Sequence, residues 1–122
     1  MSREFAGLRI LVVEDYFALA ESLSLWLEQE GCTIVGPVAT VEAALEEIDK
    51  GGVDGAILDV NLRGRSVGPV ARRLRELGRP FVFLTGHTEI NDLVNEFCDC
   101  QWISKPAEER DLLGALRLMK GL

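Results

Sequence analysis

The sequence predicts a single α/β domain, spanning residues 1–122, in which five parallel strands alternate with five helices. Its length of 122 residues and its 48% hydrophobic content suit one compact domain. Short apolar runs, typical of strands buried on both faces, alternate with longer stretches at helical spacing. Glycine and proline stand at the borders of these segments. These observations indicate a doubly wound, flavodoxin-like three-layer sandwich.

Each predicted element follows from its own segment of this alternating pattern. The strands are the apolar runs Leu8 to Val13, Thr33 to Val35, Ala56 to Val60, Phe81 to Thr85 and Gln101 to Ser104. The helices are the stretches Tyr16 to Glu30, Val41 to Lys50, Ser66 to Leu77, Glu89 to Phe97 and Glu108 to Met119. Left-handed cap residues are expected after the first three helices, at Gly31, Gly51, Gly52 and Gly78. The doubly wound topology implies the strand order 2-1-3-4-5.

Charge and cysteine content exclude several classes of function. Thirteen basic and twenty acidic side chains give a net charge of −7, which repels nucleic-acid phosphates and anionic membrane surfaces. The first apolar run is too short for a secretory signal or a membrane span, so we expect a cytoplasmic protein without direct nucleic-acid or membrane binding. Three cysteines are too few for a disulfide framework and are expected to be reduced. Cys98 and Cys100 lack further metal ligands nearby in the sequence.

Polar side chains stand at the carboxyl ends of four of the five predicted strands. Ligands of such a sheet bind outside these ends, in the crevice between strands 1 and 3. The second strand is expected to end at Gly36 and Pro37, without a functional group. The other four strands end at Glu14 and Asp15, at Asp59, at Thr85 and at Lys105.

Three carboxylates at one sheet edge raise each other's pKa unless a cation neutralises them. Oxygen ligands suit Mg²⁺, which keeps several waters, so Asp15 and Asp59 are predicted to bind it directly and Glu14 through water. Asp59 can then attack phosphorus as a nucleophile, while Lys105 neutralises charge and Thr85 donates a hydrogen bond. Each residue alone also fits a structural role, as a helix cap, a strand residue or a solvated charge. Their coincidence at four strand ends favours phosphoryl chemistry.

Over essentially its whole length, the sequence resembles the receiver domain of two-component response regulators. The resemblance makes Glu14 and Asp15 the acidic pair and Asp59 the phosphoacceptor. It implies that the backbone carbonyl of Asn61 binds the metal and that the Lys105–Pro106 peptide bond is cis. The resemblance also makes Thr85 the switch hydroxyl and Lys105 the invariant lysine. It places a switch aromatic at Trp102, and at Gly86 a small residue that leaves the phosphoryl site open.

Two segments depart from the common receiver pattern. The stretch DVNLRGRSVGPVARRL lacks the Met-Pro pair that many receivers carry after the phosphoacceptor. Together with PFVFLTGH, it resembles a subclass of stand-alone alphaproteobacterial receivers named for a Phe-Ala-Thr-Gly-hydrophobic-Tyr (FATGUY) motif. The motif here reads Phe83-Leu84-Thr85-Gly86-His87-Thr88, so its last positions differ. His87 lies two residues after Thr85 and has two readings, a residue that tunes reaction rates or a plain loop residue.

The resemblance implies a signalling protein rather than an enzyme. It would accept a phosphoryl group from a sensor histidine kinase or a histidine phosphotransfer protein. Phosphorylation would alter the face formed by the fourth helix, the fifth strand and the fifth helix. This face would then bind a downstream protein or a second copy of the chain. Only Gly121 and Leu122 follow the last helix, so a stand-alone receiver is expected. A degenerate receiver that acts as an unphosphorylated interaction module, and a receiver fragment of a hybrid kinase, are the alternatives.

Two other protein classes share parts of this pattern. A haloacid-dehalogenase-type phosphatase also uses an aspartate nucleophile with Mg²⁺, but its motif is Asp-x-Asp, whereas Asp59-Val60-Asn61 ends in asparagine. A flavodoxin-like cofactor binder needs a phosphate loop after the first strand, where this chain has acids that repel phosphate.

Kinase docking is predicted on the first helix, next to the phosphorylation site. If Tyr16, Ala20, Leu23 and Leu27 face the core, helical spacing turns a second set of residues sideways or outward. An apolar strip of this kind suits a helical-bundle partner, although boundary packing of its larger members is the alternative. The set comprises Leu19, Ser22, Leu25 and Trp26.

Overall fold

The computed structural model describes residues 4–86 and 93–121. The main sheet contains strands β1 (Arg9–Val13), β2 (Thr33–Val38), β3 (Gly55–Asp59), β6 (Phe81–Thr85) and β7 (Gln101–Ser104). A separate two-stranded hairpin consists of β4 (Asn61–Leu62) and β5 (Arg65–Ser66). The helices are α1 (Phe17–Gln29), α2 (Val41–Asp49), α3 (Gly68–Glu76), α4 (Leu93–Glu96) and α5 (Glu109–Lys120).

The main sheet is parallel and runs in the order β2-β1-β3-β6-β7. This is the predicted order 2-1-3-4-5, because the hairpin strands β4 and β5 lie outside the main sheet. The predicted α/β fold is therefore confirmed. Since β1, β3, β6 and β7 are neighbours and all run the same way, their carboxyl ends meet at one edge of the sheet.

Helices cover both faces of the sheet and form two separate hydrophobic clusters. Alternate residues of β1 enter opposite clusters, with Leu11 and Val13 on one face and Ile10 and Val12 on the other. The face of Leu11 is covered by residues of α2, α3 and α4, and the opposite face by residues of α1 and α5. The three layers of the predicted sandwich are thus present.

Strand β2 is longer than the apolar run that predicted it. It continues through Gly36 and Pro37 to Val38, so the predicted end at Gly36 is wrong. The register with β1 shifts between Leu11 and Val13, and this irregularity absorbs the Gly-Pro pair. Gly36 has a φ of 90°, and a Cβ there would lie 2.8 Å from the backbone nitrogen of Val38. Only glycine fits this backbone without strain.

Helix α1 differs from the prediction at its amino end. Tyr16 precedes the helix and is 65% exposed, so its predicted core position is wrong. Ala20, Leu23 and Leu27 are buried as expected. Ser24 joins them, and its hydroxyl donates a 2.8 Å hydrogen bond to the carbonyl of Ala20, which satisfies the buried polar group.

The remaining helices lie where helical spacing places them, within one or two residues. Helix α3 begins at Gly68 rather than Ser66, because Ser66 pairs in the hairpin. The predicted start of the fourth helix at Glu89 lies outside the described residues. Each predicted cap glycine has a positive φ, as expected after a helix.

The three cysteines form no disulfide, in agreement with the expectation of reduced thiols. Across the described ranges, no helix combines the length and apolar character that crossing a membrane requires.

Candidate functional site

The carboxylates of Glu14, Asp15 and Asp59 converge at the carboxyl edge of the sheet. Glu14 and Asp15 directly follow β1, and Asp59 is the last residue of β3. The register that pairs Val13 with Leu58 brings these two strand ends side by side. Each of the three residues offers an oxygen within 4.8 Å of the others. Glu14 and Asp59 are buried and Asp15 is partly exposed.

Lys105 reaches into this acidic cluster from β7. Its Nζ lies 3.2 Å from Oδ1 of Asp59 and 3.3 Å from Oε2 of Glu14. The backbone N–H of Lys105 donates a 2.9 Å hydrogen bond to the carbonyl of Thr85, which continues the pairing of β6 with β7 and holds the lysine at the sheet edge. The Lys105–Pro106 peptide bond is cis, as the resemblance implied.

Burial and charge shift the pKa of both partners in this ion pair. Burial, followed by the adjacent Glu14 carboxylate, raises the pKa of Asp59 from 3.8 to about 7, and Lys105 only partly opposes the rise. Burial alone would lower the pKa of Lys105, but Asp59 and Glu14 outweigh it and the pKa rises. Without a further cation the site therefore disfavours an ionised Asp59.

The donor set fits Mg²⁺. Oε1 of Glu14 accepts a 3.1 Å hydrogen bond from the backbone N–H of Tyr16. Oε2 is buried and accepts no hydrogen bond from residues 4–86 or 93–121, although it forms the ion pair with Lys105. A buried carboxylate oxygen without a hydrogen-bond donor, next to two more carboxylates, can be satisfied by a metal-bound water or a cation. Glu14, Asp15 and Asp59 could together hold such an ion, and direct binding by Asp15 and Asp59 stays a prediction.

Asn61 borders the site at the start of β4. Its backbone N–H donates a 3.3 Å hydrogen bond to Oδ1 of Asp59, and its side-chain oxygen accepts a 2.6 Å hydrogen bond from the N–H of Gly64. These bonds orient the Asp59 carboxylate and close the hairpin turn. The metal-binding role of the Asn61 carbonyl stays a prediction.

Thr85 ends β6, one position after the residue that pairs with Asp59. It is half-buried, and its hydroxyl donates a 2.9 Å hydrogen bond to the carbonyl of Gly86. Thr85 and Gly86 thus lie at the same edge as Asp59 and Lys105. The next residue, His87, lies outside the described residues.

Trp102 is turned toward the core from β7. Its ring centroid is 4.4 Å from that of Phe83, with an interplanar angle of 30°. Its indole N–H donates a 3.0 Å hydrogen bond to the carbonyl of Phe97, just after α4. The half-buried ring therefore connects β7 to the carboxyl end of α4. A switching role for Trp102 stays a prediction.

The predicted docking residues of α1 fall into two groups. Leu19 and Trp26 are half-buried and pack against the core, which is the boundary packing considered as the alternative. Ser22 is exposed, and Leu25 is 54% exposed. Tyr16, which was predicted to face the core, and Phe17 are 65% and 75% exposed beside the acidic pair.

Arg63 is the site residue that sequence reasoning missed. Its Nε lies 3.7 Å from Oδ2 of Asp15. In the fold, Arg63 and Gly64 form the two-residue turn between β4 and β5, four residues after Asp59. Arginine is uncommon at such a turn, so the hairpin was not expected.

Comparison with known proteins agrees with this geometry. Residues 10–117 match the family model of the response regulator receiver domain. The transcriptional regulatory protein DltR of Streptococcus agalactiae is 36% identical over 115 residues, which cover 91% of this chain and 51% of DltR. The chain spans about half of the length of the curated relatives it matches, such as DltR and the sensory transduction protein RegX3 of Mycobacterium tuberculosis.

Solved structures show the same fold. The solution structure of SdrG from Sphingomonas melonis Fr1 is 39% identical, with a TM-score of 0.81, and the match covers 94% of this chain and 98% of SdrG. The BeF3-activated conformation of SdrG is 40% identical, with a TM-score of 0.74, over 91% of this chain and 94% of that one. Assignment to the FATGUY subclass stays a prediction. The match over most of the chain shows that this protein belongs to the response regulator receiver domain family, whose members are signalling proteins.

Proposed function

We propose that Asp59 accepts a phosphoryl group from a histidine kinase or a histidine phosphotransfer protein in a Mg²⁺-dependent reaction. The observation that carries this proposal is the placement of Asp59, which is buried, 3.2 Å from the Lys105 ammonium and within 4.8 Å of two further carboxylates. A structural ion pair would need only one carboxylate and one lysine. The surplus of negative charge indicates a site built for a cation and a phosphoryl group.

The residues have separate tasks in the proposed transfer. An oxygen of Asp59 forms a bond to phosphorus while the bond from phosphorus to the donor imidazole nitrogen breaks, and that nitrogen keeps the electron pair. Lys105 neutralises charge on the transferring group, and the Thr85 hydroxyl exchanges its hydrogen bond to Gly86 for one to a phosphoryl oxygen. Bound Mg²⁺ supplies charge neutralisation at the phosphoryl oxygens. Hydrolysis of the acyl phosphate by water at the same site restores Asp59.

The product of this reaction is a changed surface rather than a released metabolite. We infer that the phosphoryl group alters the face of α4, β7 and α5, which then binds a downstream protein or a second copy of the chain. Trp102 supports this assignment, because it contacts the end of α4 from β7. The negative net charge and the receiver family favour a cytoplasmic protein that acts through protein contacts and not through direct nucleic-acid binding.

Phosphorylation by acetyl phosphate tests the proposal. Intact-protein mass spectrometry should show one added phosphoryl group on the wild type with Mg²⁺ and none after EDTA treatment. Asp59→Asn should remain unlabelled. Asp49→Asn is the matched control, since Asp49 is an exposed residue at the end of α2 that pairs with Arg73, and it should be labelled like the wild type. Persistent labelling of Asp59→Asn would contradict the assignment.

A further inference from the structure

The hairpin of β4 and β5 holds Arg63 in an unusual backbone conformation. Arg63 has a φ of 54° and Gly64 a φ of 86°, so both central residues of the turn are left-handed, as in a type I′ hairpin. Leu62, directly before the turn, is 3% exposed and anchors the hairpin in the core. The hydrogen bond from Gly64 to the Asn61 side chain closes the turn. The turn therefore presents Arg63 at a defined position beside Asp15.

Two cations divide the three carboxylates between them. Lys105 contacts Glu14 and Asp59, and Arg63 contacts Asp15. The Asp15 side chain is 18% exposed and the Arg63 side chain 80% exposed, so this ion pair lies at the solvent-facing mouth of the site. A residue at this mouth meets an arriving cation before the buried carboxylates do.

We infer that Arg63 is a tethered counterion of Asp15 that competes with the divalent cation and lowers the metal affinity of the site. The inference rests on the proposed function, in which Asp15 is a direct metal ligand. A metal ion on Asp15 takes over the charge that the guanidinium neutralises, and the two cations repel each other. Metal binding therefore requires Arg63 to leave Asp15. The free energy lost with that ion pair makes Mg²⁺ binding weaker.

The size of the effect follows from the exposure of Arg63. Exposed ion pairs are weak, so removal of this charge should strengthen Mg²⁺ binding by about two- to fivefold. The gain should shrink as the salt concentration rises, because salt screens exposed charges. A receiver with this counterion needs more Mg²⁺ to reach the phosphorylatable state than the same site without it.

Mg²⁺ titration followed by backbone amide shifts in NMR spectra tests the inference without any phosphoryl donor. Arg63→Gln removes the charge, and Arg63→Gly also removes the unfavourable backbone conformation, so at least one of the two variants should fold. Arg65→Gln is the matched control. It changes the net charge equally on the same hairpin, but Arg65 pairs with Glu42 on α2 instead of the acidic cluster.

Both Arg63 variants should bind Mg²⁺ about two- to fivefold more tightly than the wild type, and Arg65→Gln should gain less. Equal or weaker binding by the Arg63 variants, or an equal gain in Arg65→Gln, would overturn the inference while the proposed function stands. Absence of saturable Mg²⁺ binding in the wild type and both Arg63 variants would instead contradict the proposed function itself and, with it, this inference.

Discussion

The indole N–H of Trp102 donates a hydrogen bond to the carbonyl of Phe97 over 3.0 Å, and this bond joins β7 to the carboxyl end of α4. The ring also packs against Phe83 at 4.4 Å. Arg72 adds a two-pronged ion pair from α3 to Glu96 in α4, with both distances 2.8 Å. The end of α4 is thus held from two sides. Any rearrangement of α4 must either break the hydrogen bond to Trp102 or move Trp102 with the helix.

We predict that phosphorylation changes the surroundings of Trp102 through Thr85. Beryllofluoride, an acyl-phosphate mimic, should draw the Thr85 hydroxyl away from the Gly86 carbonyl and thereby move the end of β6 beside β7. In Trp26→Phe, where Trp102 is the sole indole, the emission should change on addition of beryllofluoride. The change should be absent when Thr85→Ala is added to Trp26→Phe. An identical response with and without Thr85 would show that the hydroxyl is not the sensor.

Removal of the Asp59 charge should stabilise the metal-free protein at neutral pH. The pKa of Asp59 is about 7 in the folded protein and near 3.8 when unfolded, so the folded state binds the extra proton between these values. The contribution of Asp59 to stability therefore falls as the pH rises from about 4 to 7. The difference between the two pKa values corresponds to roughly 4 kcal/mol, and we expect about 2 kcal/mol because relaxation around a buried charge reduces its penalty.

Urea denaturation in EDTA measures this stabilisation. Asp59→Asn should exceed the wild type by about 2 kcal/mol at pH 8 and should approach it near pH 3, below both pKa values, where Asp59 is mostly protonated in both states. Asp49→Asn controls for the loss of a carboxylate at the surface. A stabilisation that is the same at both pH values would show that ionisation of Asp59 is not its cause.

The two acidic residues after β1 should contribute unequally to metal binding. Asp15→Asn removes a carboxylate that faces the mouth of the site, whereas Glu14 is buried and already contacts Lys105. We expect Asp15→Asn to weaken Mg²⁺ binding by at least about tenfold and Glu14→Gln by less, because only Asp15 is expected to bind the ion directly. Calorimetric or NMR titration gives both affinities. Equal losses would overturn this division of roles.

Transfer from the kinase should depend on the outward face of α1. Leu25 is 54% exposed, and its replacement by Asp places a charge on an apolar docking strip without disturbing the core. Leu25→Asp should slow transfer from a cognate kinase by about tenfold or more and leave labelling by acetyl phosphate unchanged. Leu77→Asp is the control, because Leu77 is 43% exposed at the end of α3. Slower labelling from both donors would indicate misfolding and not lost docking.

The sequence by itself determined the fold class, the strand order and the positions of Asp15, Asp59, Thr85 and Lys105. These predictions needed little tertiary information, because strands buried on both faces are continuous apolar runs and parallel strands place their carboxyl ends at one edge. Strands β6 and β7 have the predicted bounds for the same reason. The acidic cluster followed directly from the positions at which the strands end.

Tertiary structure alone decided the features that depend on backbone conformation and on contacts between distant segments. The bulge that extends β2 through Gly36 and Pro37 forms only when β1 lies beside it. The ion pair of Arg63 with Asp15 joins residues far apart in sequence, and the left-handed turn that holds Arg63 runs against the backbone preference of arginine. Periodicity reports which face of an element is buried, but not which side chain from another loop neutralises a given charge. That is why the counterion of Asp15 became visible only in the folded protein.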